Sequence, residues 1–124
     1  MSSRWTDTFY EPSPEKSAEA DRAIADLRGR GSPSHDGVSA RLADFQITED
    51  GLVLELQQMR WALRLLGDAS AALSVLCVVR DHEGRWLAGR RASWVATWPG
   101  MWALGAGGAV DAGEDPATAL GREL

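Results

Sequence analysis

The most strongly apolar run of the chain spans Leu73 to Val79, where only Ser74 is polar. A short run of branched aliphatic residues is typical of a central strand that is buried on both faces. The sequence Asp-His-Glu-Gly over 81–84 is a turn signal, and it predicts a hairpin onto a second strand over 85–90. Within the first strand we expect Cys77 to be a small core residue rather than a reactive thiol.

The pattern over residues 52–66 fits two kinds of element. Apolar and polar positions alternate from Met59 to Leu65, which favours a half-buried strand. Leucines and a methionine also recur at helical spacing over the same range, so a helix remains an alternative. Before this segment, apolar residues between 42 and 47 predict another strand, which ends at the Glu-Asp-Gly turn signal of residues 49–51.

The first third of the chain is mostly polar. We expect residues 1–13 to form a poorly ordered lead-in. Ser13 followed by Pro14 is a helix-start signal, because the hydroxyl caps free amides and proline suits the first turn. The composition then predicts a weakly anchored helix over 14–28 and a flexible linker over 29–37. We therefore divide the chain into an N-terminal helix and linker (1–37), a strand-rich extension (38–69) and a C-terminal unit (70–124).

Composition and charge exclude several classes of function. The 124 residues are 44% hydrophobic and carry a formal charge of −5, so the chain is an ordinary globular one and nucleic acid is not expected as a partner. One cysteine and two distant histidines, His35 and His82, exclude a disulfide framework and suggest no metal cluster of these residues. Without a long apolar run or a signal-peptide pattern, we expect a cytoplasmic protein that has no membrane partner.

The basic residues of the second half are all arginine. Residues 51–124 carry eight acids and seven bases, so this half repels an anionic ligand less than the N-terminal half does. Arg90 and Arg91 are adjacent, and the planar fork of a guanidinium group can bind two phosphate oxygens at once. A solvated strand surface is the alternative interpretation of these arginines.

Four of the six tryptophans lie between residues 86 and 102. We expect Trp86 and Trp102 to pack in the core, because both fall in strand patterns. For Trp94 and Trp98, packing and stacking against a planar ligand are equally compatible with the sequence.

The last twenty residues combine glycines with an acidic helix start. Gly105 and Gly107 begin a G-x-G-x-x-G pattern, but position 110 is valine. The helix signal, Asp115-Pro116, comes too late for its N-terminus to hold a pyrophosphate beside the glycines. Glycines that expose the backbone, together with carboxylates on a nearby helix, offer the oxygen ligands that Mg²⁺ prefers. The stretch therefore predicts a platform for Mg²⁺ and a diphosphate rather than a dinucleotide-binding fold.

The spacing of this stretch resembles the Nudix box. Gly108, Glu114 and the triplet 122–124 (Arg-Glu-Leu) match the first part of the pattern G-x5-E-x7-R-E-U-x-E-E-x-G-U, in which U is a bulky aliphatic residue. The resemblance covers about residues 70–124. In the family, two further glutamates follow the one matched by Glu123 at the third and fourth positions, which lie beyond Leu124. We therefore expect the chain to be the N-terminal portion of a longer protein.

The resemblance implies a fold and an activity. The fold is a mixed α/β (α+β) one, a partial Nudix α/β/α sandwich with a mixed sheet, preceded by an N-terminal helix and strand extension. The activity implied for the full-length parent is hydrolysis of a nucleoside diphosphate linked to another moiety, with Mg²⁺ or alternatively Mn²⁺ as cofactor. We expect the 124-residue chain alone to be inactive. The sequence is compatible with a homo-oligomer as well as with a monomer. An isoprenoid-diphosphate isomerase and a non-catalytic module that binds a nucleotide or a partner are the alternatives.

The resemblance also implies site residues. Glu123 and the main-chain carbonyl of Gly107 correspond to metal ligands. Glu114 and Arg122 correspond to a carboxylate–guanidinium pair that holds the loop against the helix, and with Glu123 they form the catalytic set. The residues expected to contact the small-molecule diphosphate substrate precede the box: Arg90, Arg91 and Trp98.

Overall fold

A computed structural model describes residues 1–67 and 70–124 of the chain. Its N-terminal part contains a mixed three-stranded sheet of β1 (Ser2–Phe9), β2 (Val38–Thr48) and β3 (Gly51–Arg60). The central strand β3 pairs antiparallel with β2 and parallel with β1. The expectation of a poorly ordered lead-in over residues 1–13 is therefore wrong, because the backbone of β1 hydrogen-bonds to a strand fifty residues away.

The predicted N-terminal helix is confirmed as α1 (Pro14–Gly29), and the hydroxyl of Ser13 caps it by accepting a hydrogen bond from the amide of Lys16. Its anchorage is stronger than the sequence suggested. Its three buried side chains, Ala20, Ile24 and Leu27, pack against residues of β3 and of the next element. Both interpretations of residues 52–66 are partly right, because β3 ends at Arg60 and a 3₁₀-helix (Trp61–Ser70), which is kinked at Gly67, continues the chain.

The connection between α1 and β2 is held by Arg60. Its guanidinium group donates hydrogen bonds to the carboxylates of Asp36 and Asp21, and to the hydroxyl of Ser17. The other oxygen of Asp36 accepts a hydrogen bond of 2.9 Å from the amide of Ala62. Charge-assisted bonds of this kind are stronger than neutral ones. The end of the 29–37 segment is therefore fixed to α1, to β3 and to the start of the 3₁₀-helix.

We expect this network to make stability depend on pH through Asp36. Burial alone would raise the pKa of Asp36, but the hydrogen bonds from Arg60 and the amide of Ala62 outweigh it and lower the pKa below its usual 3.8. The ionised carboxylate therefore stabilises the fold above its unfolded pKa, and the contribution disappears as the pH falls through the lower folded pKa. Asp36→Asn should reduce the free energy of unfolding at neutral pH by about 1.5 kcal/mol, as urea denaturation measures it.

Asp50→Asn, in the exposed turn between β2 and β3, is the matched control. It should change stability by no more than about 0.5 kcal/mol. The difference between the wild type and Asp36→Asn should shrink as the pH is lowered from 5 towards 2. A difference that stayed constant over this range would contradict the role given to the ionised carboxylate.

The C-terminal part contains two strand pairs and a short helix. β4 (Ser74–Cys77) pairs antiparallel with β7 (Ala106–Ala109), and β5 (Ala88–Arg90) pairs antiparallel with β6 (Trp102–Leu104). The predicted hairpin is present, since Arg80 and Trp86 form a bridge across the 81–84 turn. α2 (Pro116–Glu123) follows the glycine-rich loop. Together with the N-terminal sheet and α1, these elements give the mixed α+β fold that was predicted.

Two packing predictions for this part are wrong. The 73–80 run is not a fully buried central strand: β4 pairs with one strand among the described residues, Leu76 is 63% exposed and Cys77 is half-buried. Trp86 and Trp102 are 52% and 71% exposed rather than packed in the core. In each case the strand pattern is present. However, no layer of side chains within residues 1–67 and 70–124 covers the face of the strand on which the exposed side chain lies.

Backbone hydrogen bonds join the two parts of the molecule. The amide of Ala40 in β2 donates to the carbonyl of Val110 (2.9 Å), and the amide of Leu73 donates to the carbonyl of Ala40 (3.0 Å). Ala40, Val110 and Ala119 of α2 are fully buried against one another, with Trp5 of β1 packed on them. The N-terminal sheet therefore supplies part of the core on which the glycine-rich loop and α2 rest.

Candidate functional site

The glycine-rich loop passes into α2 through a side-chain cap. The carboxylate of Asp115 accepts hydrogen bonds from the amides of Ala117 (2.9 Å) and Thr118 (3.1 Å), and from the hydroxyl of Thr118 (2.8 Å). These bonds lower the pKa of Asp115, the side-chain bond from Thr118 most of all. The helix thus begins at Pro116, as the sequence predicted, and not at the glycines.

Glu114 and Arg122 form a two-point ion pair between this loop and α2. The Nε and Nη2 atoms of Arg122 lie 3.1 and 3.0 Å from the two carboxylate oxygens of Glu114. Nη2 also donates to the carbonyl of Ala109 (2.9 Å), and Glu114 accepts from the amide of Asp111 (3.1 Å). The hydrogen bond from Arg122 lowers the pKa of Glu114, and the hydrogen bond to Glu114 raises the pKa of Arg122.

The carboxylate of Glu123 lies against Gly108. A Cβ atom added at Gly108 would sit only 2.5–2.7 Å from the carboxylate atoms of Glu123, so only glycine leaves this space free. Arg122 also donates a hydrogen bond to Glu123, whose side chain is largely buried. At Gly107 an added Cβ would instead meet the backbone of Val75 and Leu76 in β4. The structure therefore brings Glu123 to the box glycine itself, and the ligand role of the Gly107 carbonyl stays a prediction.

The acidic groups around α2 do not by themselves form a site that fits a divalent cation. Asp111, Glu114 and Glu123 all face the guanidinium group of Arg122, which lies within 3.6 Å of Asp111 and 3.0 Å of Glu114. A metal ion in the same place would meet this positive charge. Within the part of the chain that the structure describes, no three His, Cys, Asp or Glu residues are grouped so that they could hold a metal ion.

Of the three residues expected to bind substrate, the structure brings two to one cavity and places the third elsewhere. Arg91 and Trp98 line a cavity of about 580 Å³, whereas Arg90 is not among its lining residues and its Nε atom donates to the carbonyl of Gly100 (2.9 Å). Trp61 and Arg64 of the 3₁₀-helix also line this cavity, although the sequence did not indicate them as site residues. The only sequence signal for them was an arginine and a tryptophan inside the otherwise apolar 61–66 stretch. A contact with substrate stays a prediction for all three of the residues chosen from the sequence.

Residues 71–124 match the family model of the NUDIX domain. The match agrees with the resemblance that the spacing of Gly108, Glu114 and Arg122 indicated, and it is consistent with a protein of a hydrolase family. The searches of curated proteins and of solved structures gave no match to the chain. Among the described residues, no helix combines the length and the apolar character needed to cross a membrane.

Proposed function

We propose that residues 105–123 form the first part of the active site of a hydrolase that cleaves a nucleoside diphosphate linked to another moiety. The observation that supports this most directly is the position of Glu123. Arg122 joins α2 to the loop, and the carboxylate of Glu123 rests on the bare backbone of Gly108. A carboxylate held in one place on a rigid element is what a preorganised catalytic site requires.

The residues of this chain have distinct parts in the proposed site. Glu114 stays ionised because Arg122 binds both of its oxygens. The pair therefore holds the loop in a fixed position against α2. Arg122 positions Glu123 rather than contacting substrate itself. The NUDIX family generally uses divalent metal ions, which neutralise the diphosphate charge and activate water when bound. Carboxylates three and four positions after Glu123 would share its helical face and complete the site.

Cleavage assays test the proposal in two forms of the protein. The 124-residue chain is incubated with Mg²⁺ and a panel of nucleoside diphosphates linked to sugars, nucleosides or alkyl groups, and released nucleoside monophosphate is quantified. We expect no Mg²⁺-dependent cleavage, because Glu123 is without the two further carboxylates. Turnover by this chain that Glu123→Gln removes would contradict that expectation.

A form of the protein that continues past Leu124 with glutamates at these two offsets should cleave a member of the panel. Glu123→Gln should then lower kcat/KM by roughly tenfold or more, and Glu19→Gln on the exposed part of α1 should leave it unchanged. Failure of that longer form to cleave any compound of the panel would overturn the proposed reaction.

A non-catalytic nucleotide-binding module is the second candidate. It is favoured by one observation: the guanidinium group of Arg122 occupies the centre of the acidic cluster. This candidate predicts nucleotide binding without cleavage in the longer form as well, so the same assay separates the two.

A further inference from the structure

The outer edge of β2 is covered in its first half and open in its second. β2 is an edge strand of the N-terminal sheet, whose strand order is β1-β3-β2. Up to Leu42 its outer side is bonded to the rest of the molecule, and the amide of Leu42 donates to the carbonyl of Ala71 (2.8 Å). Residues 43–48 are all exposed, and among the described residues no backbone hydrogen bond reaches their outer edge. An open strand edge is a template for pairing with another strand.

A β-bulge sets the direction of the backbone groups along this open edge. Leu42 and Asp44 are paired with consecutive residues of β3, so β2 has one extra residue at position 43. Beyond the bulge, the amide of Phe45 donates to the carboxylate of its neighbour Asp44 (2.8 Å). Residues of an antiparallel strand alternate between those bonded to the partner strand and those facing away from it. The backbone groups of Phe45 and Ile47 therefore point outward, away from β3.

The open edge carries two large apolar side chains on one face of the sheet. Phe45 is paired with Leu54 and Ile47 with Leu52, so these four side chains lie on the same face. Phe45 is 55% exposed, and Ile47, at 80%, is the most exposed large apolar side chain among the described residues. Edge strands of natural proteins commonly carry a charge or a proline that prevents pairing. Positions 45 and 47 carry neither.

The segment 44–48 is self-complementary in an antiparallel register centred on Gln46. A second copy related by a two-fold axis would place its Ile47 opposite Phe45 and its Phe45 opposite Ile47. Because these residues point their backbone groups outward, each such pair would exchange two hydrogen bonds. An aromatic side chain opposite a β-branched one is also a favourable cross-strand pair. The same register sets Asp44 opposite Thr48, so no like charges face each other directly.

A second exposed apolar surface, on the C-terminal strand pairs, fits a second copy less well. Trp86 is bridged to Arg80, and Trp102 is paired with Arg90, so each exposed indole has a guanidinium group beside it. Two copies that met through this surface would bring like charges together. The β2 edge has no such cost.

We propose that residues 44–48 of β2 pair antiparallel with the same segment of a second copy of this chain. The two N-terminal sheets then form one six-stranded sheet, with β2 and its copy at the centre. Five residues per copy bury less than the roughly 1,200 Å² of a standard stable interface, so the dimer forms reversibly, with a dissociation constant on the order of 100 µM. The contact does not include Glu123 and does not depend on the reaction proposed above.

Sedimentation velocity of the 124-residue chain between about 5 µM and 1 mM tests the association, and we expect a shift from monomer to dimer over this range. Ile47→Lys places a charge in the contact and should raise the Kd at least about tenfold. Because Ile47 is exposed, this substitution should leave Tm unchanged. The matched control is Leu76→Lys, which adds the same charge at an exposed apolar residue of β4 and should change the Kd by less than about twofold.

Gln46→Cys tests the register. In the proposed pairing, position 46 lies opposite itself in a non-hydrogen-bonded pair whose Cα atoms are about 4.5 Å apart, a distance that a disulfide spans. In a Cys77→Ser background, Gln46→Cys should give a disulfide-linked dimer on mild oxidation, as non-reducing electrophoresis shows. Thr48→Cys is the matched control, because its two copies would lie well beyond the roughly 7 Å limit for a disulfide. It should cross-link at least about tenfold more slowly.

Three outcomes would overturn the proposal. They are a chain that stays monomeric at about 1 mM, a Kd raised equally by Ile47→Lys and Leu76→Lys, and cross-linking of Thr48→Cys as fast as that of Gln46→Cys. The first would leave the β2 edge to a strand of a different protein, the second would place the contact elsewhere on the surface, and the third would exclude the register. Because no nucleotide, metal or turnover is measured, failure here is distinguishable from failure of the proposed hydrolysis.

Discussion

Gly105→Ala should lower the free energy of unfolding by about 3 kcal/mol or more. Gly105 has a φ of +71°, a conformation that favours glycine. A Cβ atom there would come within 1.8 Å of the carbonyl oxygen of Cys77, a backbone atom that cannot move without disturbing β4. Backbone strain and steric overlap therefore add at this position, where β6 turns into β7 next to the start of the Nudix box.

Gly113→Ala provides a matched control for the steric part of this effect. Gly113 also has positive φ (+80°), but an added Cβ would meet nothing within 4 Å. Only the backbone strain remains, so we expect a cost of about 1 kcal/mol. Urea denaturation followed by circular dichroism measures both variants, and equal destabilisation of the two would show that the contact with the Cys77 carbonyl does not constrain the fold.

Trp5→Ala should have the second largest effect, a loss of about 3 kcal/mol in the free energy of unfolding. The indole packs on the buried cluster of Ala40, Val110 and Ala119, and its Nε1 atom donates to the carbonyl of Glu114 (3.2 Å). The variant should also speed amide hydrogen exchange in the 111–115 loop and in the first turn of α2, because β1 would no longer hold this loop in place.

Trp5→Phe separates the two contributions of this side chain. It keeps most of the apolar contact and removes the hydrogen bond to Glu114, so we expect a loss of about 1 kcal/mol. If Trp5→Ala left exchange in the 111–115 loop at its wild-type rate, the inferred support of the candidate site by β1 would be wrong.

Elements specified by local signals were predicted well from the sequence. The Ser13-Pro14 signal gave the start of α1, and Asp115-Pro116 gave the start of α2, because a capping side chain and its amides are neighbours in sequence. The turn at 81–84 was equally readable, since its residue types fix the local backbone. These features require no knowledge of the rest of the chain.

Features that depend on distant partners were missed. The polar sequence of β1 gives no sign that it pairs with β3. The exposure of Trp86 and Trp102 depends on which layers cover the strand pairs, and a strand pattern does not contain that information. Tertiary context overrides strand propensity in such cases.

The same distinction between local signals and distant partners applies to the candidate site. Glu114 and Arg122 meet as the fixed spacing of the Nudix box implied, because the loop and helix between them form one local unit. The cavity was not predicted, since it needs Arg64 and Trp98 to approach from segments that are more than thirty residues apart. No pattern within either segment encodes that approach.

The contact of Trp5 with the 111–115 loop bears on how the protein should be divided for expression. A fragment cut at residue 71, where the family match begins, would leave Val110 and Ala119 without Trp5 and Ala40. Such a fragment would expose to water the apolar surface beneath α2, and it would be prone to aggregate during purification.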